Sequence, residues 1–201
     1  MTRLILALLL VPTMTQCQIE NYFPIRVGTT WVYKIFPQIS NDRERLTISK
    51  DSISSTDSSH FIFLNGAVTP KYRVDALGNV YLSPLGSGGG SNQLIFKQRA
   101  RKLEAWAASD SSSRIFRIKD TFVEFVINRF VNVKIVEWGT KADPDTFSLS
   151  PRSEYYAEGF GPYFVIIEPP STERILIGFI SGKDTIGDIT KAPYQRIELT
   201  N

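Results

Sequence analysis

The sequence predicts an all-β fold: a single antiparallel curled sheet, half-barrel or barrel, with at most one short helix. Three observations predict it. After residue 18, apolar residues recur with a period of two and not of 3.6. Gly, Asn, Asp, Ser and Pro break that pattern at short intervals, as turns do in a meander of short strands. No segment carries the long amphipathic helix that a crossover between parallel strands requires.

The elements follow in order. Thr30 to Phe36 alternates Trp31, Tyr33 and Ile35 against Thr30, Val32 and Lys34, and stops at Pro37. Arg45–Lys50 and Phe61–Leu64 read as strands on either side of a Ser/Thr/Asp-rich break at 54–59. Lys71–Asp75 and Val80–Leu82 flank Leu77-Gly78-Asn79, a tight hairpin turn with Gly and Asn at the special positions. Ser87 to Asn92 is a Gly-rich loop, and with no GK[ST] after it a phosphate-binding P-loop is excluded. Leu94–Lys97 resumes a strand. Arg99–Ala108 is the one place where a short helix competes, because Leu103, Trp106 and Ala107 fall at i, i+3 and i+4. Arg114–Lys119, Thr121–Ile127 and Phe130–Trp138 are strands, the last two joined at Asn128-Arg129. The last of these places Val131, Val133 and Ile135 on one face and Asn132 and Lys134 on the other. Glu154–Ala157, Tyr163–Glu168, Ile175–Ile180 and Tyr194–Leu199 complete a count of roughly ten to thirteen.

The amino terminus has a different grammar. Met1-Thr2-Arg3 supplies one positive charge, Leu4 to Val11 is uninterrupted apolar sequence, and Pro12 to Cys17 turns polar and small. That is the order of a secretory signal, and its apolar run is far shorter than the ~20 residues of a membrane-spanning helix. We therefore expect residues 1–16 to be a processed signal peptide and 17–201 to form a single β-rich domain. Cys17 is the only cysteine, which excludes an internal disulfide and a cysteine-built metal centre. It stands where a bacterial lipoprotein carries its acylated cysteine, so lipidation at Cys17 is the expected anchor to a membrane. Gln16 departs from the small residue usual before that cysteine, and ordinary cleavage after Thr15 or Cys17 is the alternative.

Composition narrows the function classes. The chain of 201 residues is 42% hydrophobic and 12% aromatic, with a formal net charge of +3 from 23 basic and 20 acidic residues. Those charges are interspersed, so no basic stripe for nucleic acid is present. Lys97, Arg99, Arg101 and Lys102 form the densest basic stretch, which reads first as a solvated face and second as a phosphate-binding patch. His60 is the only histidine; without a GxSxG elbow it reads as a strand-edge surface residue. Asp143 and Asp145 read as a turn before they read as a calcium site, and Glu124/Glu137 cannot be placed across a cleft from sequence.

Short motifs add a resemblance. Asn21-Tyr22-Phe23-Pro24-Ile25-Arg26-Val27-Gly28-Thr29-Thr30-Trp31-Val32-Tyr33 resembles the YFPLxxGxxWxY opening found just after the signal in a group of uncharacterised bacterial secreted proteins and lipoproteins. Phe130 to Ile135 resembles a strand of that group, with Arg129 where Gly-Thr is usual. Glu154 to Tyr163 resembles its YYAPGVG segment, with Glu158 in place of Pro and Phe160 in place of Val. The resemblance implies an all-β curled sheet, half-barrel-like, and no catalytic residues.

The expected role is that of an exported cell-envelope protein that binds a hydrophobic or extended ligand on a curved sheet without catalysis, and without cofactor or metal. Lipid, glycan and peptide all remain open as ligands. Trp31, Tyr33, Trp138 and Tyr156 are the candidate ligand-face aromatics. The alternatives are a structural or protein-interaction module of the envelope and a cryptic carboxylate-dependent hydrolase. The expected location is an outer-membrane or periplasmic lipoprotein, alternatively a soluble periplasmic or secreted protein.

Overall fold

The computed structural model describes residues 21–36, 43–83, 91–143, 146–167 and 172–189. Cys17, residues 87–90 of the Gly-rich loop, Asp145 and the strand expected at Tyr194–Leu199 lie outside the described residues.

The described chain contains thirteen strands: β1 (Thr30–Phe36), β2 (Arg43–Ile53), β3 (His60–Leu64), β4 (Tyr72–Val74), β5 (Val80–Leu82), β6 (Gln93–Phe96), β7 (Ala105–Ala107), β8 (Arg114–Val126), β9 (Arg129–Asp143), β10 (Thr146–Ala157), β11 (Gly161–Ile167), β12 (Thr172–Ser181) and β13 (Asp184–Gly187). Every pairing is antiparallel. The order is β6-β5-β4-β3-β2-β1-β12-β11-β10-β9-β8-β7, with β13 added beside β12. Each strand thus lies next to its sequence neighbours, and β12 returns to β1. This is an up-and-down barrel, nearly closed, with one seam between β6 and β7. A backbone bond from Leu94 N to Ala108 O (2.8 Å) and the Trp106 indole, donating to Leu94 O at 3.0 Å, tie that seam.

The strands alternate direction, which gives the barrel two ends. The lower end holds the start of β1, the β2–β3, β4–β5 and β8–β9 turns, and the β10–β11 turn. The mouth holds the end of β1, the start of β2 and the starts of β8, β10 and β12. Residues 22–25 enter at the lower end and fill the interior ahead of β1. There the Tyr22 ring lies 5.6 Å from Phe96, and Phe23 lies 5.9 Å from Trp31 and 5.1 Å from Tyr72. Phe96 stacks on Tyr156 at 4.3 Å, and Phe160 meets Phe179 edge-on at 5.1 Å. Apolar burial of this kind contributes ~1.5–3 kcal/mol per large side chain.

Arg99–Ala108 forms no helix. Leu103 has a positive φ of 67°, which ends any helical turn, and Ala105–Ala107 is the strand β7. The spacing of Leu103 and Trp106 mimicked a helix because a turn and a short strand happen to repeat at the same offset. Lys134 sits on the opposite face from Val133, as expected, yet it is buried. That face is the barrel interior, where the ammonium donates to the carbonyls of Gln98 and Ala100 and lies 4.7 Å from the Tyr22 ring centre. A buried lysine is tolerable only with such acceptors.

Candidate functional site: the charged mouth of the barrel

Directly paired residues of adjacent antiparallel strands share a face, so the strand register identifies the inward side chains. Tyr33 pairs with Glu44 on one side and Leu176 on the other. Ile35 pairs with Arg174, Arg174 with Val165, Val165 with Glu154, and Glu154 with Val136. Tyr33, Val165 and Val136 are buried. Glu44, Arg174 and Glu154 therefore stand inside the barrel above the aromatic fill, and Arg152, two residues before Glu154, joins them.

These groups engage one another. The Arg174 guanidinium donates to Glu44 Oε2 at 2.9 Å and lies 4.5 Å from the Tyr33 ring centre. Arg152 donates to Glu154 Oε1 through Nε at 2.9 Å, and the Tyr156 hydroxyl donates to Glu154 Oε2 at 2.8 Å. Burial raises the Glu154 carboxyl, but Arg152, the Tyr156 hydroxyl and Arg174 outweigh it, and the net shift is downward. Burial raises the hydroxyls of Tyr33, Tyr72 and Tyr156, so all three stay neutral, and those of Tyr33 and Tyr156 donate hydrogen bonds. Lys71, just before β4, is pulled down first by burial and then by Arg174, with Glu44 opposing. The four charged side chains Arg174, Glu44, Arg152 and Glu154 retain 22%, 18%, 30% and 19% of their accessible surface. They are enclosed by strands yet still touched by solvent. Three cations face two carboxylates here, a surplus of one positive charge when Lys71 is protonated.

The four candidate aromatics all belong to the inward face. Trp31, Tyr33 and Tyr156 are buried within the fill. The Trp31 indole donates to Phe160 O at 2.5 Å and the Tyr33 hydroxyl to Pro162 O at 2.6 Å. These two bonds join the segment around Trp31 to the one around Gly161, two of the three that carry the motif resemblance. Gly161, at φ 85°, sits between them, with Trp31 Nε1 and Tyr22 O each 3.5 Å from where a Cβ would stand. Trp138 is half-buried nearer the mouth, with the Arg114 guanidinium 4.6 Å from its ring centre.

The remaining candidates separate. His60 is half-buried, and its Nδ1 lies 2.8 Å from Asp51 Oδ2, while Asp51 Oδ1 is buried without a hydrogen bond. It opens β3 as a partly exposed residue paired with a carboxylate, and among the described residues no serine or threonine hydroxyl bonds its ring. Glu124, near the end of β8, accepts from the Tyr163 hydroxyl, and Glu137, in the second half of β9, accepts from Arg117. Among the described residues no three His, Cys, Asp or Glu side chains are grouped as metal ligands.

Sequence reasoning missed Glu44, Arg152, Glu154 and Arg174. The signal that finds them is a phase argument. Arg152, Glu154 and Tyr156 share one face by alternation, as do Arg174 and Leu176, and Glu44 and Leu46. Charge in the apolar phase of a strand marks a polar interior.

No protein-family model matches the chain, and no curated protein matches it. Among solved structures, the chain is similar to an exported protein with a YmcC-like fold from Bacteroides fragilis, at 8% identity over 81% of this chain and 100% of that one, with a TM-score of 0.48. It is similar to a lipoprotein from Parabacteroides distasonis at 10% identity over 80% and 99% of the two chains, with a TM-score of 0.38. The hypothetical lipoprotein YmcC from Escherichia coli follows at 13% identity over 81% and 92%, with a TM-score of 0.31.

Proposed function

We propose that this chain is an exported envelope protein, held to a membrane by acylated Cys17, that binds an extended acidic ligand at the barrel mouth without transforming it. The observation that carries the binding reading is the inward cluster of Arg174, Glu44, Arg152 and Glu154 above a core packed with aromatics. A barrel that only had to fold would be served as well by apolar side chains there, because well-packed apolar replacements for interior ion pairs are commonly as stable or more so. The polar mouth favours a hydroxyl- and carboxylate-bearing chain, an acidic glycan, over an acyl chain, which would strip water from these charges without replacing it. Half-buried Trp138 supplies an aromatic surface for a sugar ring at the same rim. Export rests on the Leu4–Val11 run, and the anchor on the position of Cys17.

The test is titration of the purified protein with an acidic oligogalacturonate and a neutral maltooligosaccharide, read by tryptophan fluorescence. Preferential binding of the acidic probe, lost in Arg152→Leu/Arg174→Leu, supports the reading. Equal response to both, or to neither, sinks it. Intact mass of the membrane-extracted protein reads the anchor separately: a mass without acyl chains on Cys17 removes that half alone.

A further inference from the structure

The distribution of exposed apolar side chains is lopsided. Of the nine large hydrophobic side chains exposed among the described residues, Val68 alone lies in a turn at the mouth end. Val27, Leu77 and Leu103 lie in the turns and connections of the lower end, and Ile53 ends β2 there. The rest belong to the far half of the β8–β9 hairpin. There Val123 is 63%, Phe125 58% and Phe130 74% exposed, with Phe125 directly opposite Phe130 and their ring centres 5.2 Å apart. The hairpin's other face is engaged: Val126 is buried and Tyr163 donates to Glu124. The hairpin is thus fixed to the barrel by one face and presents the other, apolar one to solvent.

Charge at this end has one sign in surplus. Arg26, Arg99, Arg101 and Lys183 are exposed and make no ion pair among the described residues. The acids nearby are engaged: Asp57 by Arg73, Glu104 by Lys97, Asp120 by Lys102, and Glu158 by Asn132. Asp184 is the exposed acid set against that basic group.

The chain also enters here. Asn21 O accepts from Gly159 N at 2.8 Å, and the adjacent Glu158 N donates to Asn132 O at 2.9 Å, two residues from Phe130. Cys17 precedes Asn21 by four residues, a reach of at most about 14 Å.

We propose that the lower end of the barrel docks on an anionic lipid bilayer, with Phe125 and Phe130 of the β8–β9 hairpin inserted among the acyl chains and the arginines around them on the headgroups. Aromatic side chains entering the interface beside basic residues are the chemistry of peripheral membrane attachment. The inference deepens the proposed function, on whose Cys17 anchor it relies for orientation but not for the contact itself. The charged mouth then faces away from the membrane, open to ligand.

The experiment uses the full chain with Cys17→Ser, so that no acyl chain can contribute, and vesicles of phosphatidylethanolamine with about a quarter phosphatidylglycerol. We expect vesicle binding that weakens with salt and falls about tenfold or more in Phe125→Ser/Phe130→Ser. A Trp at Phe130→Trp should be quenched by brominated lipid, and one at Val68→Trp should not. Unfolding midpoints confirm that the exposed-site variants fold. Binding unaffected by the double substitution, equal quenching at both positions, or no binding overturns the proposal. A dimer that the double substitution dissociates, without change in vesicle binding, overturns it in favour of a second copy. An unacylated Cys17 in the wild type would remove the anchor and leave this result standing.

Discussion

Trp31 holds two distant segments together through one indole N–H. Its bond to Phe160 O is buried, so removing the donor strands a carbonyl away from water. Trp31→Phe keeps most of the ring volume and should destabilise the protein by about 1–3 kcal/mol, read as a lower denaturant midpoint at unchanged slope. Glu154 makes a different kind of contribution. Its carboxyl is held below its ordinary value in the folded protein, so the stability it confers is present above the unfolded pKa of ~4.3 and is lost as pH falls through the folded pKa. Wild type should therefore exceed Glu154→Gln in urea midpoint at neutral pH, and the gap should close on acidification. A midpoint difference independent of pH would mean that the side chain acts by packing alone. Lys71 gives the opposite sign. Its ammonium is depressed by burial and by Arg174, and an anion in the mouth favours its protonated form. Affinity for the acidic oligosaccharide should decline as pH rises through the Lys71 pKa, and Lys71→Met should flatten that decline.

Among the elements, the connection from β6 to β7 departs most from expectation. Leu103 is 65% exposed and held at φ 67°, a conformation that costs an L-residue ~1–2 kcal/mol. Leu103→Gly should therefore stabilise the fold by about 1 kcal/mol or slightly less, once the extra backbone freedom of glycine is offset, measured by thermal or urea unfolding. The β4–β5 hairpin shows the reverse case. Leu77-Gly78-Asn79 was legible as a turn, and Gly78 does adopt φ 79°. Gln98 packs so closely that a Cβ there would stand 2.2 Å from its Oε1. Gly78→Ala should cost more than the ~1 kcal/mol of strain alone. Strand positions were readable because alternation is a local property. The inward phase of Glu44 or Arg174 was readable only in principle, because which face becomes the interior is settled by closure of the whole sheet. Lys134 was placed on the correct face for the same local reason, while its burial depends on residues 98 and 100 reaching across from another part of the barrel.

At the scale of the molecule, the curled antiparallel sheet follows directly from the sequence pattern, and the barrel is its nearly closed form. What the pattern could not supply is the partner of β1. Trp31 pairs with Phe179 and Ile35 with Arg174, contacts separated by most of the described chain. The consequence is kinetic. On either side of the β6–β7 seam the strands up to β11 can form hairpin by hairpin as neighbours in sequence, but β1 to β6 cannot join β7 to β11 until β12 arrives, and so loop closure over the longest span comes last. A chain ending before residue 172 would leave the free edges of β1 and β11 exposed, and should aggregate where the full chain stays monodisperse in light scattering. For the export proposed above, the same order means that the ring can shut only after β12, at Thr172–Ser181, has been delivered.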